Sequence, residues 1–429
     1  MSTDGKDGAL MHRLRRFAAG SLWQHPDFLR LWAGQSISLL GSQISALALP
    51  LTAVLLLNAT PLQMGVLGAS QTVPWLLIGL PAGAWVDRLP RRPLLLAGDL
   101  SRALLLSLIP ITAACGLLRI EWLYLVAFLT GGVSVVFEVA YNAYLPGLVG
   151  RPRLVEGNSK LLATSALAEV AGPSLAGALV QVIGAPAAIV GDVLSFLVSG
   201  TALLLIRTPE PVPPSPAARH LGREMREGLA LVLRHPILRV LVASSTCFNL
   251  GAAISGAVQV VYATRELGLA PAALGGVLAG GSLGSVLGAS SAGRLARRYG
   301  LGPTIIGSVL CITGGTFLLP LAAGPPLLAG AVFTAGLLSI GCGAFIYIIT
   351  AGSLRQALTP DHLQGRAAAT ARFISRSALP VGFLLGGALS EQVGFRWTLA
   401  AAGGWLLLTT VALAASPLRR LHNLSILHE

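Results

Sequence analysis

Long apolar runs, separated by short arginine-bearing breaks, recur along the whole chain. Leu94–Leu118 carries only Asp99 and Arg102 as charges, and Leu301–Thr350 carries none. A helix that crosses a bilayer needs about 20 mainly apolar residues, so the second run holds two crossings. Reading all the runs this way predicts twelve helical spans. They lie near 30–56, 62–86, 93–117, 122–146, 160–183, 186–206, 237–263, 271–293, 302–322, 326–350, 366–390 and 395–416. Between the sixth and seventh lies one long polar segment, Arg207–Pro236, which reads RTPEPVPPSP and then REMREGLALVLRH. That is a proline-rich linker followed by an amphipathic helix. The expected organisation is an N-terminal tail (1–27), a six-helix bundle (28–206), the linker with its helix (207–236), a second six-helix bundle (237–416) and a C-terminal tail (417–429). The fold class is all-α integral membrane.

The two bundles share a register. His25-Pro26 before the first span recurs as His235-Pro236 before the seventh, 210 residues on. GAWVDRLPRRP (Gly83–Pro93) recurs as GRLARRYGLGP (Gly293–Pro303) at the same offset. Two matches in one register, both at span–loop junctions, indicate a duplicated unit and a pseudo-symmetric pair of halves.

Composition narrows the class. The chain is 54% hydrophobic and 11% charged, against about 25% charged for a soluble domain, so too little polar surface exists to wrap a soluble core. The net charge of +13 sits in the breaks between spans, not in a basic stripe, which argues against nucleic acid. Of 30 Lys and Arg, Arg119, Arg265 and Arg396 lie on one face and Arg102, Arg372 and Arg376 lie within spans; the other 24 share the face of the termini. The positive-inside bias then puts both termini and the linker in the cytoplasm of a multi-pass protein of the cell (inner or plasma) membrane. All seven His fall outside the spans, the four Cys are scattered, and no G-x-x-x-x-G-K-[ST] pattern occurs. An intramembrane metal or haem site, a Ser-His catalyst and nucleotide binding are therefore not expected. The chain is therefore expected to be no enzyme, to need no cofactor and to act as a monomer.

GAWVDRLPRR resembles the signature of the major facilitator superfamily, G-x-x-x-D-R-x-G-R-R, in the loop between spans two and three. Gly83, Asp87, Arg88, Arg91 and Arg92 match, and Pro90 replaces a Gly. In that family the motif is a conformational switch: the glycine permits close helix approach, and the Asp favours the positive end of a helix dipole and bridges the halves. AEVAGPSLAG (Ala168–Gly177) resembles the family's antiporter motif, in which Gly172, Pro173 and Gly177 would bend the fifth span. FEVAYNAYLPGLVGRPRLVEGNS (Phe137–Ser159), GDVLSFL (Gly191–Leu197) and SLRQALTPDHLQGR (Ser353–Arg366) are similar to the drug-efflux and siderophore-export branch, which includes macrolide efflux pumps. The resemblance implies a secondary active transporter. It would export a small amphipathic molecule (drug-like, antibiotic, siderophore or related natural product) by alternating access, in exchange for protons. Alternatives are an uncoupled facilitator or an importer on the same fold, then a membrane-embedded enzyme or a sensor. The chain lacks the mid-span Arg of the fourth helix that many antiporters of the family use, and has Arg297 where the first repeat has Asp87.

Charges at membrane depth cost roughly 2.5–3.5 kcal/mol on insertion scales, so each needs a partner, a wet cavity or a function. Asp99 and Arg102 lie three apart and can pair. Arg372 and Arg376, four apart on one face, seek either an acid across the interface between halves or an anionic cargo. Glu138 and Glu169 lie in the half of their spans nearer the termini and could face each other or line one cavity. Burial favours the neutral form of a carboxylate, which makes Glu138 the first candidate for proton coupling, Glu169 the second and Asp192, nearer the opposite face, the third. Each could instead be a hydrogen-bonded structural group. Gln35, Gln43, Tyr141, Asn142 and Asn249 are candidates for the cargo cavity, with helix packing as the competing role.

Overall fold

The computed structural model describes residues 22–86, 88–210 and 221–420. Among these, the helices are α1 (Pro26–Leu51), α2 (Pro61–Val86), α3 (Arg91–Ala114), α4 (Ile120–Val149), α5 (Leu154–Ile183), α6 (Ala185–Leu205), α7 (Leu221–Arg234), α8 (Pro236–Val261), α9 (Pro271–Tyr299), α10 (Leu301–Leu321), α11 (Pro326–Leu358), α12 (Gln364–Val393) and α13 (Phe395–Ala415). Eleven are long and apolar enough to cross a bilayer. With them counts α2, 26 residues without a charged side chain. The short α7 is the amphipathic helix of the linker. Residues 211–220 of the linker, most of the N-terminal tail and 421–429 fall outside the described residues.

Several helices run past their apolar stretch. α11 continues to Leu358, beyond the expected 350, because Ser353–Leu358 holds no helix breaker before Thr359-Pro360, where the residue ahead of a proline leaves the helical region. α5 begins at Leu154, ahead of the expected 160, and its first turn is tied by Lys160 Nζ to Glu156 Oε1 at 3.1 Å. The turns between α5 and α6 and between α12 and α13 are single glycines, Gly184 and Gly394, at φ 85° and 82°, a left-handed conformation that any Cβ would strain.

The register of 210 extends through the whole structure. His25 Nδ1 accepts from Phe28 N at 3.1 Å, and His235 Nδ1 accepts from Leu238 N at 3.4 Å. α1 ends in a π-helical turn at Thr52–Leu56, and α8 ends in one at Tyr262–Glu266. Packing repeats as well. In the first half α1 lies against α5 and α6, α2 against α4, and α3 against α4 and α6; in the second, α8 lies against α12 and α13, α9 against α11, and α10 against α11 and α13.

The halves meet along two seams that the same symmetry exchanges, α2 with α12 and α5 with α9. Both are built on glycines that bring backbone onto backbone. A Cβ at Gly65 would fall 2.4 Å from Phe383 O, and one at Gly387 would fall 2.7 Å from Pro61 O. At the second seam a Cβ on Gly177 would meet Pro271 O at 2.3 Å, and one on Gly275 would meet Pro173 O at 2.3 Å. Leu62 N donates to Glu391 Oε1 at 3.3 Å, and Ala272 N donates to Gln181 Oε1 at 3.1 Å. All these contacts sit at the helix ends remote from the chain termini, so that face is closed.

Gly275→Leu should overpack its seam at about 1–3 kcal/mol, a shift of roughly 5- to 150-fold away from the closed state. The readout is a Leu62→Cys, Glu391→Cys pair on the other seam: cross-linking yield should fall, and an unchanged yield would mean that the two seams do not open together.

Candidate functional site

At the face of the termini, Asp87 lies outside the described residues, and Arg88 is exposed. Among the described residues, a Cβ at Gly83 would meet nothing within 4 Å. Arg91 and Arg92 open α3, and their backbone N–H groups donate to the two oxygens of Glu210 at 2.6 and 3.1 Å. Arg92 also donates to Leu203 O and Leu204 O at the end of α6. Asp27 accepts from Arg30 and from Arg207 N, Thr208 N and Thr208 Oγ1. Asp27 and Glu210 thus strap the start of the linker to the first bundle. Both carboxylates bind N–H groups more than a hundred residues away, and Glu210 sits where an acid favours the start of α3.

The Gly-Pro segment of α5 serves two neighbours. A Cβ at Gly172 would fall 2.4 Å from the Cβ of Gln43, so α1 seats that glutamine in the notch. Pro173 and Gly177, on the other side, form the seam with α9.

Between the halves, toward the face of the termini, charged groups gather. The Arg376 guanidinium of α12 lies 4.3 Å from the Trp75 ring centroid of α2 and within electrostatic reach of Glu138 on α4. Arg372 acts on both Arg376 and Arg355. Glu138, Asn142 and Arg372 are exposed. Glu169 is exposed too, one turn ahead of Pro173 on the same face of α5; Glu138 has its electrostatic contact with Arg376, on the other half. Tyr141 stacks on Phe137, and among the described residues its buried hydroxyl and the amide nitrogen of buried Gln35 have no hydrogen-bond partner. Asn249 donates to Ser245 O on its own helix at 2.9 Å.

A second polar group lies inside the first bundle. Asp99 and Arg102 pair at 2.5 Å on α3, and Arg102 is sandwiched between the rings of Phe137 and Phe196, 4.0 and 4.2 Å from their centroids. Asp192 on α6 is 1% exposed, accepts from Ser195 Oγ at 3.0 Å and interacts electrostatically with both Arg102 and Asp99. The sequence placed Asp192 near the membrane surface; the structure buries it inside the bundle, because Gly41 lets α1 close over it. Arg102 and Asp192 line a cavity of about 220 Å³, with Ser42, Ser45, Gln71 and Thr130 among its other walls. In the second half, the positions 210 residues on are Val309, Ile312 and Ala402, all buried and apolar.

Among the described residues, twelve long helices form two pseudo-symmetric bundles with polar groups between them and inside one, the build of a polytopic membrane protein. The chain belongs to the Major Facilitator Superfamily, whose family pattern matches residues 31–383. It is similar to the multidrug efflux pump Tap of Mycolicibacterium fortuitum, at 28% identity over 395 residues, covering 89% of this chain and 93% of that one. Macrolide efflux protein A of Streptococcus pyogenes is 26% identical over 230 residues, 52% of this chain and 55% of that one. Among solved structures, a bacterial homologue of the iron transporter ferroportin, 19% identical, covers 91% of this chain and 98% of its own. Its TM-score is 0.75 in the inward-facing state and 0.59 in an outward-facing one. Among the described residues no group of three or more His, Cys, Asp or Glu is placed to hold a metal ion.

Removing one member of a buried ion pair costs about 3–5 kcal/mol, whereas an apolar replacement of both is often neutral. Asp99→Val alone should therefore lower the melting temperature in detergent clearly. Asp99→Val with Arg102→Ile, which copies the second half, should recover most of the loss. A double variant as unstable as the single one would show that the pair is needed for folding.

Proposed function

We propose that this protein exports a small amphipathic molecule by alternating access, in exchange for protons, with the present structure in the state that accepts cargo from the cytoplasm. The carrying observation is the pair of glycine seams that close the face remote from the termini. If the arginine bias sets orientation as it does in other multi-pass proteins, the termini and linker are cytoplasmic and the open face is the inner one. The expected division at 28–206 and 237–416 then describes two rocking halves.

The export direction draws support from Tap and macrolide efflux protein A, whose names give efflux. The Gly172-Pro173 step supports it too, since AEVAGPSLAG resembles the family's antiporter motif. We assign Glu138, Arg372 and Arg376 to the wall of the cargo path, where Glu138 offsets a basic mouth and Trp75 offers an aromatic face to an apolar ring. Of the other candidates, exposed Asn142, one turn from Glu138, supplies a polar contact; Gln35 and the Tyr141 hydroxyl are buried, Gln43 packs against Gly172 and Asn249 bonds its own helix, so these four serve helix packing in this state. Gly83, Asp87, Arg88, Arg91 and Arg92 act as the switch at the inner face, where Glu210 holds the linker to α3.

The test uses everted vesicles carrying the protein and a radiolabelled macrolide. An acid lumen should drive accumulation above the outside concentration, and a protonophore should abolish it. Equilibration without concentration, indifferent to the gradient, would make the protein an uncoupled facilitator.

A further inference from the structure

The charged group buried between α3 and α6 is something the fold does not require. The second half makes the same helix contacts with Val309, Ile312 and Ala402 in the places of Asp99, Arg102 and Asp192, all at most 1% exposed. We propose that Asp192, with Asp99 and Arg102 as its counter-charges, is where the coupling proton is taken up and given back, and that this site lies wholly inside the first bundle, apart from the cargo path. The inference rests on the proton-driven reading above.

Charge balance favours a proton here. With both carboxylates ionised and Arg102 charged, the group holds one net negative charge, which is costly to bury. A proton handed over by hydronium breaks one O–H bond there and forms one on Asp192, leaving water and bringing the sum to zero; release runs the same transfer in reverse. Asp99 holds the direct contact with Arg102, which leaves Asp192 as the carboxylate free to take that proton. From the surrounding helices, α3 presents Asp99 and Arg102 to Asp192, α1 presents Gly41 and Ser45, and α6 adds Ser195. To the shared cavity α2 adds the Gln71 amide and α4 the hydroxyls of Thr130 and Ser134, none of them charged. The guanidinium beside Asp192 disfavours a metal cation there.

Space and unmet hydrogen bonds point the same way. The cavity of about 220 Å³ is below the roughly 300–1,000 Å³ of sites for drug-sized ligands. It has room for a few waters at about 30 Å³ each. Asp99 Oδ2 is buried with no hydrogen-bond partner among the described residues; a buried polar atom of this kind calls for water.

A mechanical link also leads from this group to the gate. A Cβ on Gly41 would fall 2.1 Å from Ser195 Oγ and 2.7 Å from Asp192 Oδ1, so α1 rests directly on the carboxylate. Two residues on, Gln43 fills the notch at Gly172 of α5, and the next turn of α5 carries the seam with α9. A change of charge at Asp192 thus reaches the outer seal through three packed helices.

Spin labels at Gln181→Cys and Ala272→Cys report that seal without any cargo. In the protein otherwise unchanged, lowering the pH should raise the closed fraction on the order of tenfold, within the usual range of coupling between sites, because the neutral group favours return to the cargo-accepting state. Asp192→Asn should remove the pH dependence. The triple variant Asp99→Val, Arg102→Ile, Asp192→Ala, which copies the apolar second half, should remove it too and guards against misfolding of the single variant. Persistence of the full pH response in both variants, or its absence from the unsubstituted protein, overturns this assignment. If everted vesicles still concentrate the macrolide on an acid gradient in that case, the export reading stands and the proton site lies elsewhere; if they do not, both fall.

Discussion

Hydrocarbon offers no hydrogen bonds, and this one constraint orders the rest of the molecule. Every backbone N–H and C=O within the bilayer must find its partner inside the chain, which leaves helices as the form available to these sequences. Side chains obey the same rule less strictly, so the few that stay charged stand out. Asp99 and Arg102 satisfy it by pairing on one helix face and by placing the guanidinium between two aromatic rings. Without that pairing, neither charge could sit at the centre of the first bundle.

Glycine supplies the complementary device. Apolar side chains gain little by leaving lipid for another apolar surface, so helices associate where small residues allow close backbone contact. Gly65, Gly177, Gly275 and Gly387 do this at the seams, and Gly34 and Gly41 do it between α1 and α6. At the α2–α12 seam the Phe383 ring also packs directly onto Gly68. Within the first bundle the Gln43–Gly172 notch links the α1–α6 contact to the α5–α9 seam.

The spans, the linker helix and the repeat were legible in the chain because each rests on local periodicity or on matching segments. The offset of 210 seen in two loop motifs recurs at the His caps, the π-helical turns and the single-glycine turns. Family membership was legible from GAWVDRLPRR. The partners of the charges were not. Glu138 and Arg376 lie 238 residues apart, and nothing local says that α4 and α12 bring them within reach of each other. Asp192 read as a near-surface residue because depth was counted along α6, while its burial comes from α1 closing over it at Gly41. Asp27 and Glu210 are not legible because the backbone N–H groups they bind, at Arg207 and Thr208 and at Arg91 and Arg92, lie far along the chain and leave no trace in local patterns.

The central claim is that a carboxyl group inside the first bundle changes protonation as the protein works. Infrared difference spectroscopy on the purified protein, with and without a macrolide, addresses it directly. Binding should remove a band from a protonated carboxylic acid, the band should shift with isotope-labelled aspartate, and Asp192→Asn should abolish it. A spectrum with no carboxylic-acid band, or one that Asp192→Asn leaves intact, would contradict it.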